Sequence, residues 1–86
     1  MRAVILYHLK SDEERLVEDY AKDFEKRTGK AIELVDIDSV EGAEFASNRG
    51  IMVTPAVVVV LDDGSVAKQW LGRQLPLVDQ LLGHMH

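Results

Sequence analysis

Apolar residues fall along this 86-residue chain in two kinds of pattern, and each predicts a different element. Ala3-Val4-Ile5-Leu6-Tyr7 is unbroken and rich in β-branched and aromatic side chains, which predicts a strand buried on both faces. Ala31-Ile32-Glu33-Leu34-Val35-Asp36-Ile37 predicts a second strand, nearer an edge because charge intrudes. Ala56-Val57-Val58-Val59-Val60-Leu61 predicts a third, central strand. Pro55 stands directly before it, where the missing N–H takes no bond from a ladder. Asp63-Gly64 is a hairpin signal, and Ser65-Val66-Ala67-Lys68-Gln69-Trp70-Leu71 mixes polar and apolar residues as an edge strand does.

Between these runs the spacing turns helical. Leu16, Val17, Tyr20, Ala21 and Phe24 make one stripe, opposite Glu18, Asp19, Asp23, Glu25 and Lys26. Ser11 is an N-cap, and Glu14 completes a Ser-x-x-Glu capping box. Asp12, Glu13 and Glu14 suit the positive end of the helix dipole, and Lys26, Arg27 and Lys30 the negative end. Gly29 is placed to stop the helix in the left-handed conformation. Strand, helix and strand in this order make a right-handed βαβ unit with parallel strands. Asp38-Ser39 caps a shorter helix carrying Val40, Ala43, Phe45 and Ala46, in which Gly42 is unfavourable by about 1 kcal/mol of propensity. Asn48-Arg49-Gly50 is its exit. A last helix starts at Leu75-Pro76-Leu77-Val78, with Pro76 in its first turn and Leu77, Val78, Leu81 and Leu82 as its stripe. Gly83 ends it, and His84-Met85-His86 is a frayed tail.

Composition narrows the function classes. A chain of this length forms one domain, spanning 1–86, and buries only roughly 60–65% of its unfolded surface, too little for a large internal cavity. The net charge of −5 argues against nucleic acid or an anionic membrane as the partner. The absence of cysteine excludes disulfides, thiolate catalysis and zinc–thiolate sites. The longest apolar run falls far short of the roughly 20 residues that span a bilayer. The N-terminus lacks a secretory signal's apolar segment, so the expected location is cytoplasmic.

The order β-α-β-α-β-β-α resembles the thioredoxin-like α/β fold shared by thioredoxins and glutaredoxins. The most specific match is Gly50-Ile51-Met52-Val53-Thr54-Pro55-Ala56-Val57-Val58-Val59-Val60-Leu61-Asp62-Asp63-Gly64, followed by Trp70-Leu71-Gly72. The resemblance implies a cis bond at Thr54-Pro55 and a four-stranded mixed sheet in the order 2-1-3-4, with strand three antiparallel to strand one. It also implies helices one and three on one face and helix two on the other. The family's Cys-x-x-Cys or Cys-x-x-Ser stands at the start of helix one. The matching window here, Leu9-Lys10-Ser11-Asp12-Glu13-Glu14-Arg15, holds no thiol. A thiolate stabilised by a helix N-terminus is what that chemistry needs, so the chain is expected to be redox-inactive.

Candidate sites follow. In the family the backbone before the cis-proline pairs with an extended peptide, which makes Val53, Thr54 and Pro55 a candidate edge for β-augmentation; alternatively the proline serves folding alone. His8, Ser11 and Asp12 lie at the mouth of the family's active site. The acidic run from Ser11 to Glu14 reads either as a capped helix or as a docking edge for a basic partner. Ser11 is accounted for by capping, and the neighbouring carboxylates oppose an oxyanion, so no hydrolase is expected. No calcium-loop pattern is present, the histidines His8, His84 and His86 read as solvated, and no metal or cofactor is expected. Glutathione is disfavoured because Leu71-Gly72-Arg73-Gln74 replaces the glutaredoxin Gly-Gly-x-Asp segment. Arg73 is a possible anion contact, but Asp12, Glu13 and Glu14 would repel the ligand. Tyr7 and Trp70 read as packing residues and not as a stacking platform for nucleic acid. The expectation is a non-enzymatic protein- or peptide-binding module. The alternative is a self-associating domain, a homodimer through the edge strand at 65–71; a cysteine-independent oxidoreductase is the third reading.

Overall fold

The structure, a computed structural model, describes residues 1–85. Its elements are β1 (Arg2–Tyr7), α1 (Asp12–Thr28), β2 (Glu33–Asp36), α2 (Val40–Asn48), β3 (Ala56–Val60), β4 (Val66–Leu71) and α3 (Val78–Gly83). The sheet runs β2-β1-β3-β4; β1 pairs with β2 in parallel, and the other two pairs are antiparallel. This is the mixed sheet that the resemblance implies.

Strand alternation divides the core in two. Ala3, Ile5 and Tyr7 of β1 and Val57 and Val59 of β3 point to one face, where they pack on Val17 and Phe24 of α1 and Leu81 of α3. Val4 and Leu6 with Ala56, Val58 and Val60 point to the other, against Ala46 of α2 and Ile51. Helices therefore cover both faces of the two central strands. That is why β1 and β3 carry unbroken apolar runs instead of alternating ones. Gly29 closes α1 in the left-handed region at φ 74°, its N–H donating to Glu25 O at 2.8 Å.

Several boundaries differ from the sequence expectation. β2 starts at Glu33, because its ladder with β1 runs only from Val4–Glu33 to Tyr7–Asp36; Ile32 is still buried just ahead of it. Between Val59 and Val60 the β4 register slips, Val59 facing Lys68 and Val60 facing Val66, which leaves Ala67 in a bulge. α3 begins at Val78 and not at Leu75. Pro76 lies ahead of the helix, and proline disfavours helical backbone in the residue before it. Leu77 is extended at ψ 151°, and the Gln80 side chain accepts from its N–H at 3.0 Å. Gly83 lies inside α3 and His84 is the C-cap. Leu16 proves exposed, so the α1 stripe is narrower than its spacing suggests. His86, assigned to the tail, lies outside the described residues.

Gly42 has a reason that propensity does not show. α2 packs so close to the end of β2 that a Cβ at this position would lie 2.0 Å from Asp36 O. The residue is a close-approach glycine.

Candidate functional site

β1 and β3 are antiparallel, with Leu6 opposite Ala56, and β4 brings Leu71 to the same Ala56. The segment that leaves β1, the one that enters β3 and the one that leaves β4 therefore meet at one end of the sheet. α1 begins in the first of them. The loop that enters β3 is pinned at both ends. Ile51 is buried and its N–H donates to Ala46 O at 2.9 Å. Pro55 is fully buried behind a cis Thr54-Pro55 bond, and its carbonyl accepts from Gly72 N at 2.9 Å. Met52, Val53 and Thr54 arch between these anchors. Among the described residues, no hydrogen bond engages the backbone N–H or C=O of any of the three. Met52 is 91% exposed, and Val53 and Leu9 are each close to half exposed.

Glu13 joins the parts. It is buried to 9% exposure; one carboxylate oxygen accepts from His8 N and the other from the Thr54 hydroxyl, each at 3.2 Å. A single side chain thus ties the start of α1 to the loop after β1 and to the loop before β3. Sequence reading placed Glu13 only among the acids of a first helical turn. The missed signal is its spacing: Glu13, Val17, Tyr20 and Phe24 share one helix face, the one that turns inward. The exposed apolar side chains of Leu9 and Met52 were also not singled out.

Each mouth residue expected from sequence has a definite role. The Ser11 hydroxyl donates to His8 O at 2.6 Å and accepts from Glu13 N at 3.2 Å. It caps α1, but Glu14 does not return the reciprocal bond of a capping box among the described residues. The His8 ring turns away from Ser11 to Asp38, Nδ1 to Oδ2 at 2.9 Å. That hydrogen bond, with the nearby charges of Asp38, Glu13 and Asp36, raises the His8 pKa above the ordinary 6.5 against a smaller opposing effect of burial. Ser11 and His8 are therefore not assembled as nucleophile and base. Asp12 pairs with Arg73 at 2.7 Å, and this bond holds its carboxyl below the usual range. Arg73, considered above as an anion contact, is engaged by Asp12. Val53, Thr54 and Pro55 meet the mouth through the Thr54–Glu13 bond.

The site contains no thiol, because the sequence contains no cysteine. Among the described residues, no three His, Cys, Asp or Glu side chains converge as a metal-binding group. Among them, no helix is long and apolar enough to cross a membrane. His84 is turned edge-on to Trp70, with ring centroids 5.4 Å apart.

No family model and no curated protein matches the chain. Solved structures do. Thioredoxin 1 from the thermophilic eubacterium Thermosipho africanus superposes with a TM-score of 0.67 at 12% identity, over 99% of this chain and 90% of that one. A chain of the complex of ferredoxin:thioredoxin reductase with thioredoxin f2 superposes with a TM-score of 0.63 at 20% identity, over 98% of this chain and 74% of that one. The chain has the thioredoxin-like fold, without a cysteine at the mouth or elsewhere.

Proposed function

We propose that this thioredoxin-like chain is a redox-inactive binding module that takes up an extended segment of a partner protein along residues 52–54. The observation that carries the reading is the unpaired backbone of Met52, Val53 and Thr54, held between two buried anchors. Free N–H and C=O groups on a pinned stretch of backbone are what β-augmentation uses for affinity, and flanking side chains give selectivity. Met52 and Val53 supply exposed apolar surface on that edge, and Leu9 is exposed in the loop that Glu13 ties to it through His8 N and the Thr54 hydroxyl. Catalysis has no comparable support: thiol–disulfide exchange lacks a nucleophile, and the Ser11 proton is committed to His8 O. The edge strand β4 carries Lys68 and a bulge, devices that discourage strand pairing between copies.

The test is an array of blocked, extended peptides with apolar centres, followed by amide-shift titration of the protein with those that bind. The reading expects the Val53 and Thr54 amides to move first and most. It fails if no peptide moves them. In an insulin-reduction assay the protein is expected to give no turnover above the blank.

A further inference from the structure

Resting on that reading, we infer that the segment bound at residues 52–54 is basic: an apolar residue seated against Leu9, Met52 and Val53, with Lys or Arg one or two positions away. A continuous chain of bonds runs from the edge into negative charge. Thr54 bonds to Glu13, Glu13 to the backbone of His8, and the His8 ring to Asp38. Glu13 is nine-tenths buried, and its partners there are neutral donors. Among the described residues it takes part in no ion pair. Arg73 also reaches it electrostatically, but that guanidinium is already paired with Asp12, so the acids around the edge outnumber the cations. Asp36 acts on His8 in the same field, and Glu14 and Asp36 both act on the neighbouring Tyr7. Of the cations nearby, Arg73 is bound to Asp12 and Arg15 is drawn to Asp19, and Lys10 sets a single charge against the several acids. A second copy of the chain is a poor occupant, because each copy carries −5 and would bring like charge to the mouth.

The experiment uses blocked peptides with one common apolar centre and flanks of Lys, Gln or Glu, titrated against the full chain and read at the Val53 and Thr54 amides. At low salt the Lys peptide is expected to bind about fivefold to tenfold tighter than the Gln peptide. The Glu peptide is expected to bind weakest, and the gaps to shrink by about 0.2 M salt. In the Glu14→Gln, Asp38→Asn double variant the Lys peptide should lose most of its advantage while the Gln peptide keeps its affinity. Equal binding of the Lys and Gln peptides at low salt overturns the inference and leaves the binding edge standing. Silence from every peptide overturns both. Amide shifts at Val53 and Thr54 that grow with protein concentration alone assign the edge to a second copy, and that too overturns the inference.

Discussion

Replacing Gly42 by alanine sets helix propensity against packing, and the two predict opposite signs. By propensity alone, alanine stabilises a helix interior by about 0.8–1 kcal/mol relative to glycine. In this fold the added methyl would lie 2.0 Å from Asp36 O and 2.8 Å from its carbonyl carbon, where real Cβ contacts start at 3.0 Å. The obstacle is backbone and cannot rotate aside. Asp36 O also accepts from Ser39 N at 3.1 Å and from the Ser39 hydroxyl at 2.6 Å, and that hydroxyl caps α2 by accepting from Gly42 N at 2.9 Å. Moving Asp36 O away disturbs the cap as well. Overpacking costs about 1–3 kcal/mol and a weakened cap about 1 kcal/mol. After the propensity gain, a net loss of about 1–3 kcal/mol is left, or a Tm lower by roughly 5–20 °C for a domain of this size. Gly83→Ala is the matched control. That position is also helical, but nothing lies within 4 Å of a new Cβ, so a gain of about 0.5 kcal/mol is expected. Thermal melts of the two variants decide the matter. A Gly42→Ala protein that melts at or above the parent refutes the close-approach argument.

Three further outcomes are expected. Glu13→Ala leaves the His8 N–H and the Thr54 hydroxyl without their acceptor and should destabilise by about 1–3 kcal/mol. Hydrogen exchange at the His8 amide should accelerate, and Glu13→Gln should recover part of the loss. His8 has its folded pKa raised above the ordinary 6.5, so the stability of its pair with Asp38 is fully present below about 6.5 and is lost as pH rises through the folded value. Both groups are well exposed, so the effect on melting is small. The clean readout is the NMR titration of the His8 ring, whose midpoint should fall toward the ordinary value in Asp38→Asn. Phe24 is fully buried between α1 and the sheet, and Phe24→Ala should cost about 3–5 kcal/mol, measured by urea unfolding.

What the sequence shows clearly is whatever a residue's own neighbours determine. Residues 3–7 and 56–60 announce a doubly covered sheet centre because burial on both faces forbids polar alternation. Gly29 announces a helix end because the left-handed cap favours a residue without Cβ. Other features depend on contacts that no local pattern encodes. Gly42 looks unfavourable until Asp36 O lies behind it. Leu16 fits the helical stripe yet lies outside the area that the sheet and α3 cover. Glu13 looks like a dipole complement until the loops after β1 and before β3 meet over it. The proline and the helix start point to a mouth at residues 8–12 and 53–55, and the structure brings those two segments side by side. Its central contact was not foreseen, since the partners of Glu13 are five and forty-one residues away along the chain.

Amide hydrogen exchange at Val53 and Thr54, in the free protein and in the protein saturated with the tightest-binding peptide of the array, tests the binding edge most directly. The account predicts fast exchange at both amides in the free chain, where neither is bonded, and slow exchange at one or both in the complex, with Met52 shielded from solvent. Amides already protected in the free protein, or unprotected in the saturated complex, would contradict it.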